Sequence, residues 1–246
     1  MTAADIITNT IRRTSGSRPV ATVTISRSSK LNSLNSHLVN LLTLEICNIP
    51  RTHPDLLAVI LTGHDTTSFV GGADINEVSA LDSPAAAREF ITRVHLACKH
   101  PGLPCLEVAA NCDSRVASRN AVFGMPEVNV GIPSVVEAAL LPGLIGWGRT
   151  RRLLMLGDNI SAVEALQWGL AEKVVEPDYF DQAVDEWIQL LERSGPRAVR
   201  RQKNLIRQWE RLGLDSAIEA GIPAFGESFE KDEEGLHMLS EFFKNR

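Results

Sequence analysis

Several features are missing from this sequence of 246 residues. No apolar run is long enough to span a bilayer, and residues 1–17 lack the apolar segment of a secretory signal. The six histidines have no metal-binding spacing, and no CxxC pair occurs among the four cysteines, which are Cys47, Cys98, Cys105 and Cys112. We therefore expect a soluble intracellular protein in a reducing compartment, either the cytoplasm or an organelle matrix, with no membrane partner and no metal.

An excess of positive charge is also missing. The net charge is −5, which argues against an electrostatic surface for nucleic acid. Basic residues do cluster at 149–152 and 197–211. Arg201 and Lys203 could hold ligand phosphates, and a solvated helix face is an equally good interpretation. Hydrophobic residues make up 44% of the chain, enough for a sizeable core.

Hydrophobic periodicity predicts an α/β protein. Residues 20–25 alternate like a strand, and 56–63 form an apolar run typical of a buried strand. The segment between them has helical periodicity, with Asn35 or Ser36 as its N-cap. Helices are also predicted after Ser83, after Pro133 and on both sides of Gly157, and residues 173–175 are predicted to return to a strand. From Tyr179 onward the pattern is helical. We therefore predict an α/β core over residues 1–178 and a helical region over 179–246.

Two glutamates lie 20 positions apart, each inside a distinct motif. Glu107 lies in CLEVAANCD, which predicts a short helix after Pro104, and Glu127 lies in FGMPEVNVGIP, a turn punctuated by glycine and proline. Two carboxylates on separate rigid elements suit general acid/base chemistry, since one can accept a proton while the other donates one. Upstream, SFVGGADINEV is a glycine-rich turn whose N–H groups could face a developing oxyanion.

These three motifs, in this order, resemble the crotonase (enoyl-CoA hydratase/isomerase) superfamily. KLNSLN at residues 30–35 is similar to the family segment that lies against the coenzyme A adenine, and residues 157–175 are similar to a family helix with its following strand. The resemblance extends over nearly the whole chain. It implies an α/β crotonase-like (ClpP/crotonase ββα superhelix) core followed by a helical C-terminal region for trimerisation.

The resemblance also implies a function and a set of site residues. The implied activity is that of a lyase, an enoyl-CoA hydratase that adds water to a 2-enoyl-CoA thioester, because an isomerase usually keeps only one of the two acids. Coenzyme A enters only as part of the substrate, without another cofactor, and the assembly is a homotrimer or homohexamer. The implied catalytic residues are Glu107, Glu127 and Ala73, whose N–H belongs to the oxyanion hole. The implied substrate-binding residues are Lys30, Asn32, Gly71, Gly72, Asp74, Ile75 and Gly131.

The sequence departs from the family pattern just before Glu107. Family members place a buried strand and a glycine-rich turn there, and roughly a dozen residues of that kind are missing here. The position of the second oxyanion-hole glycine falls on Pro104, which has no N–H to donate. The amide of Cys105 or Leu106, at the positive end of the following helix, could take that place.

Other interpretations stay open. The chain could be an enoyl-CoA isomerase, a dehydratase of a specialised acyl-CoA, or a silent family member that binds CoA esters or assembles with active subunits. It could also fail to fold stably for want of an interior strand. Glu107 and Glu127 could be helix-end acids that complement the helix dipole, and the glycine turn could be a plain loop in which Asp74 caps a helix.

Overall fold

The computed structural model of this protein describes residues 6–64, 68–99, 105–230 and 234–244. The strands are β1 Ile6–Arg13, β2 Pro19–Ser26, β3 Ala58–Gly63, β4 Val116–Ser118, β5 Val122–Gly124, β6 Asn159–Ser161 and β7 Lys173–Val175. The α-helices are α1 Ser36–Thr52, α2 Ile75–Ser79, α3 Pro84–Lys99, α4 Cys105–Asn111, α5 Leu141–Leu156, α6 Ala162–Trp168, α7 Phe180–Glu192, α8 Pro196–Trp209, α9 Leu214–Glu219, α10 Gly221–Glu227 and α11 Glu234–Lys244. Short 3₁₀ helices span Ser28–Lys30, Pro126–Val130, Val136–Leu140 and Pro177–Tyr179.

The chain forms two compact units. The first contains the described residues up to Arg13 and those of Pro19–Asp185, and the second contains Thr14–Arg18 and the described residues from Glu186 onward. In the second unit, α9, α10 and α11 each pack against α8. Many large apolar side chains are exposed in this unit, among them Leu214, Ile218, Ile222, Phe225 and Phe243. No helix in the described part of the chain is long and apolar enough to cross a membrane.

The first unit begins with a sheet in the order β1-β2-β3. β1 and β2 are antiparallel neighbours, whereas β3 lies parallel to β2 on its other side. The parallel pair requires a crossover, and α1 supplies it, as the periodicity of the sequence predicts. The Asn35 side chain accepts a hydrogen bond from the Leu38 N–H at 2.8 Å, so Asn35 is the N-cap. α3 also begins as predicted, with Ser83 Oγ accepting from the Ala86 N–H.

The other strands form two separate pairs, β4 parallel to β7 and β5 antiparallel to β6. Within the described residues, β3 therefore pairs on one edge only, and so does β4. The predicted loss of a segment of strand length before Glu107 stays a prediction. Pro104, on which the loss of an oxyanion-hole donor depends, lies outside the described residues.

Two hydrophobic clusters form the core of the first unit. One combines β2 and α1 with Phe90 and Val94 of α3, and the other combines α5 and α6 with Met125 and Ala117. α4 belongs to both clusters, because Val108 packs in the first and Leu106 in the second. Glu107 lies between Leu106 and Val108 in sequence, so the packing of α4 places it at the boundary of two apolar clusters.

Candidate active site

The glycine turn before α2 is joined to the turn after β2 by backbone hydrogen bonds. The Leu34 N–H donates to the Gly72 carbonyl at 2.8 Å, and the Asp74 N–H donates to the Leu34 carbonyl at 2.9 Å. This parallel bridge leaves the intervening N–H of Ala73 pointing away from Leu34. No acceptor for the Ala73 N–H is found among the residues that the structure describes, and Ala73 is exposed. An amide of this kind can donate to a ligand.

Both glycines of this turn have a local reason. A Cβ at Gly71 would lie 2.7 Å from the Leu31 carbonyl oxygen, which is too close for any side chain. Gly72 has φ +118°, a conformation that glycine adopts readily and other residues rarely do. The turn therefore needs both glycines whatever the ligand, and their implied contact with substrate stays a prediction.

Asp74 has a structural role in this turn. Its side chain accepts from the Asn76 N–H at 2.9 Å, which caps α2, and lies 2.6 Å from an Arg27 nitrogen in a mostly buried ion pair. Burial opposes ionisation of this carboxyl. The Asn76 amide, the Arg27 guanidinium and the charge of Lys30 outweigh that effect and hold the pKa of Asp74 below its usual value.

The other implied substrate-binding residues near this turn differ in solvent exposure. Asn32 is fully buried with φ +56°, and its side chain accepts from the Arg27 N–H and donates to the Ser68 carbonyl, each at 2.7 Å. Asn32 thus exposes neither its side chain nor its main chain, and its implied substrate contact stays a prediction. Lys30 and Ile75 are exposed, so their side chains are available to a ligand.

Glu107 lies in the first turn of α4 and is only 7% exposed. Burial raises the pKa of its carboxyl to about 8; its own backbone N–H opposes this, and the carboxylates of Glu127 and Glu137 add to it. The Arg115 guanidinium stabilises the other end of α4 by donating to the carbonyls of Ala109 and Cys112, each at 3.0 Å. α4 is thus fixed at its C-terminal end while it carries a buried acid.

Glu127 lies in the 3₁₀ helix Pro126–Val130 and is half-buried. Its Oε2 accepts from Ser134 Oγ at 2.8 Å, and its main-chain carbonyl accepts from the Ile132 N–H. Gly131 ends the 3₁₀ helix with φ +76°, and a Cβ there would meet nothing within 4 Å. The glycine is therefore required for the turn that folds Ser134 back onto Glu127, and its implied substrate contact stays a prediction.

Two further residues of this region are absent from the sequence-based set. Glu137 lies in the 3₁₀ helix Val136–Leu140, which packs against α3 and α4, and its side chain is 10% exposed. Its Oε1 lies 2.7 Å from His95 Nδ1 on α3. A single acid inside the apolar run VVEAALL could have indicated burial, but no pattern links it to a histidine 42 positions earlier.

The structure therefore arranges the site residues in two clusters. Glu107 and Glu127, far apart in sequence, interact electrostatically, and Glu137 joins them as a third carboxylate. Ala73, Gly72 and Asp74 form the second cluster with the turn that contains Asn32. A proton-holding acid, a second carboxylate and an exposed donor N–H are the groups that addition of water to an activated double bond requires.

Comparison with known proteins gives a consistent result. The model of the enoyl-CoA hydratase/isomerase family matches residues 104–245. The chain is 34% identical to a short-chain-enoyl-CoA hydratase of Clostridium acetobutylicum, over 92% of this chain and 95% of that protein. It is 32% identical to an (E)-benzylidenesuccinyl-CoA hydratase of Thauera aromatica, with 84% of both chains covered. The crystal structure of an enoyl-CoA hydratase from Bacillus anthracis superposes with a TM-score of 0.87 at 24% identity, covering 97% of this chain and 96% of that one, which shows a shared fold.

Proposed function

Because this chain belongs to the enoyl-CoA hydratase/isomerase family, we propose that it is an enoyl-CoA hydratase that adds water reversibly to a 2-enoyl-CoA thioester. The observation that carries this proposal is that Glu127 acts electrostatically on Glu107, whose neighbours Leu106 and Val108 pack in two different apolar clusters. An isomerase moves one proton and needs one acid, whereas hydration needs one group to activate water and another to protonate carbon.

The proposed steps balance atoms and protons. The substrate carbonyl oxygen accepts a hydrogen bond from the Ala73 N–H, which stabilises the enolate that forms. Glu127 takes a proton from water as the water oxygen bonds to C3 of the enoyl group. Glu107, which holds a proton at neutral pH because its pKa is about 8, gives that proton to C2. Transfer of a proton from Glu127 to Glu107 then restores the starting state, and the net change is the addition of one water molecule.

A second donor to the carbonyl oxygen comes from the beginning of α4 in this proposal. α4 begins at Cys105, and the first N–H groups of any α-helix have no partner within the helix. The Cys105 or Leu106 amide therefore replaces the donor that the family has at the position of Pro104. The carboxylates and amides supply the chemistry, so coenzyme A enters as part of the substrate, and no resident cofactor is proposed. We also propose a homotrimer or a homohexamer.

The test is a crotonyl-CoA hydration assay, which follows the loss of enoyl-thioester absorbance. We expect Glu127→Gln to lower kcat by about a hundredfold or more, because the amide cannot accept a proton from water. Glu89→Gln, which removes an exposed carboxylate on α3, is the matched control and should leave kcat unchanged.

Two outcomes would replace this proposal. A folded wild-type protein that binds CoA esters without turning them over would be a silent family member. Turnover of 3-enoyl-CoA that survives the loss of one glutamate would indicate an isomerase. A further candidate is a hydratase or dehydratase of a specialised acyl-CoA, which the similarity to an (E)-benzylidenesuccinyl-CoA hydratase favours.

A further inference from the structure

Glu137 is a buried acid that the proposed hydration steps do not use. One carboxylate oxygen, Oε1, is 2.7 Å from His95 Nδ1. The other oxygen, Oε2, is buried and has no hydrogen-bond partner among the residues that the structure describes. Leaving a buried acceptor of this kind unpaired costs free energy, and such groups usually meet a partner that completes their hydrogen bonding.

Glu137 lies beside the helix that carries one of the proposed catalytic acids. The 3₁₀ helix that carries Glu137 packs directly on α4, which carries Glu107, and Glu137 acts electrostatically on Glu107 as Glu127 does. Val136 packs against one apolar cluster and Ala138 belongs to the other. Glu137 therefore stands at the same boundary between clusters as Glu107.

His95 does not satisfy the whole carboxylate. The imidazole is 41% exposed and contacts only Oε1, so it fixes the orientation of Glu137 from the solvent side. Val136, next to Glu137, adopts φ +46°, which is an unfavourable conformation for a β-branched residue. The backbone thus carries a local strain at the point where the carboxylate turns inward.

We propose that Glu137 determines substrate specificity by accepting a hydrogen bond from a hydroxyl group on the acyl chain. The inference rests on the proposed function, since it assumes an acyl-CoA ligand between the glutamates. A plain hydrocarbon chain has no donor for Oε2 and would keep the carboxylate buried and unpaired. A hydroxylated acyl chain completes its hydrogen bonding, so the preferred substrates are acyl-CoA thioesters that carry a hydroxyl group.

The test compares matched thioesters by calorimetric binding, which needs no turnover. The pairs are butyryl-CoA with 4-hydroxybutyryl-CoA and hexanoyl-CoA with 6-hydroxyhexanoyl-CoA, because the position of the hydroxyl along the chain is part of the question. In the wild type, we expect the hydroxylated member of at least one pair to bind about ten- to hundredfold more tightly, as a hydrogen bond to a charged group allows. Glu137→Met keeps the side-chain volume, removes the acceptor and should abolish that preference. Glu89→Met is the control and should keep it.

The binding results test the inference about Glu137 separately from the proposed hydratase function. If no hydroxylated thioester binds the wild type more tightly than its parent, or if Glu137→Met keeps the preference, the inference is wrong. If Glu137→Met does not fold, the comparison of the thioester pairs on the wild type is the test. A preference without crotonyl-CoA hydration would overturn the proposed function and leave this inference standing, whereas hydration without a preference would do the reverse.

Discussion

At the scale of single residues, Glu107 shows how position changes chemistry. An exposed glutamate is ionised at neutral pH, yet burial between two apolar clusters and two neighbouring carboxylates raise the pKa of Glu107 to about 8. The same side chain would be an ordinary helix-end acid if α4 were solvated. Its proposed role as a proton donor to carbon follows from that burial.

The raised pKa predicts a pH-dependent stability. The unfolded chain loses the Glu107 proton near pH 4.5 and the folded protein keeps it up to about pH 8, so this contribution is full below pH 4.5 and lost as pH rises to 8. Urea unfolding should show the free energy of unfolding of the wild type falling, relative to Glu107→Gln, by on the order of 4 kcal/mol between pH 4.5 and 8. If the free energies of unfolding of the wild type and of Glu107→Gln differ by the same amount at pH 4.5 and pH 8, Glu107 is not buried as described.

Asn32 is a second residue whose surroundings predict its behaviour. Its side chain joins the turn after β2 to Ser68, and it lies in the left-handed region that asparagine tolerates better than alanine. We expect Asn32→Ala to lower the free energy of unfolding by about 2–3 kcal/mol. Coenzyme A affinity of the folded fraction should change little. Denaturant unfolding and calorimetric CoA binding separate the two effects, and a large loss of affinity with unchanged stability would contradict this expectation.

At the scale of elements, α4 depends on a side chain outside it. Arg115 is 9% exposed, donates to carbonyls at the C-terminal end of α4 and forms an ion pair with Glu172. A seven-residue helix is too short to be stable by propensity, so these contacts help to hold Glu107 in place.

Removal of this guanidinium should be costly. Arg115→Met leaves partly buried carbonyls and the Glu172 carboxylate without their donor, so we expect the free energy of unfolding to fall by about 2–3 kcal/mol in urea denaturation. Arg119→Met is the control, because Arg119 pairs with Glu176 at the surface and should contribute less than about 1 kcal/mol. Equal effects of the two substitutions would contradict the capping role of Arg115.

At the scale of the whole molecule, the chain leaves much apolar surface exposed. Phe225 is 70% exposed and Ile222 is 71% exposed in the second unit. Exposed apolar residues clustered in this way usually mark an interface between proteins. This surface supports the proposed homotrimer or homohexamer.

The assembly can be tested by mass. Sedimentation of the wild type should give the mass of three or six copies of the 26.9 kDa chain. Phe225→Asp should shift the distribution toward monomer, because a buried unpaired charge opposes association. Leu44→Asp on α1 introduces the same charge at an exposed apolar site of the first unit and should not. A monomeric wild type would refute the proposed assembly.

Local patterns predicted much of the fold. The N-caps at Asn35 and Ser83 follow from short-range rules and are confirmed. The structure adds a capping box, in which Ser161 and Glu164 begin α6. β1 was missed because most of its residues are polar and nearly all are exposed, so its hydrogen bonds to β2 are its main support. β4, β5 and β6, of three residues each, were not predicted, whereas β7, of the same length, is confirmed at residues 173–175. The division into residues 1–178 and 179–246 stays a prediction.

The sequence by itself determined the motifs, because the turn glycines, the prolines and the caps act over a few residues. It therefore indicated the family, and it put Glu107 and Glu127 on separate rigid elements. Only the tertiary structure decided which charges share one environment. The pKa of Glu107 and the partnership of Glu137 with His95 depend on packing between segments distant in sequence. Burial and electrostatic coupling depend on which segments pack together in three dimensions, and no local sequence pattern encodes them.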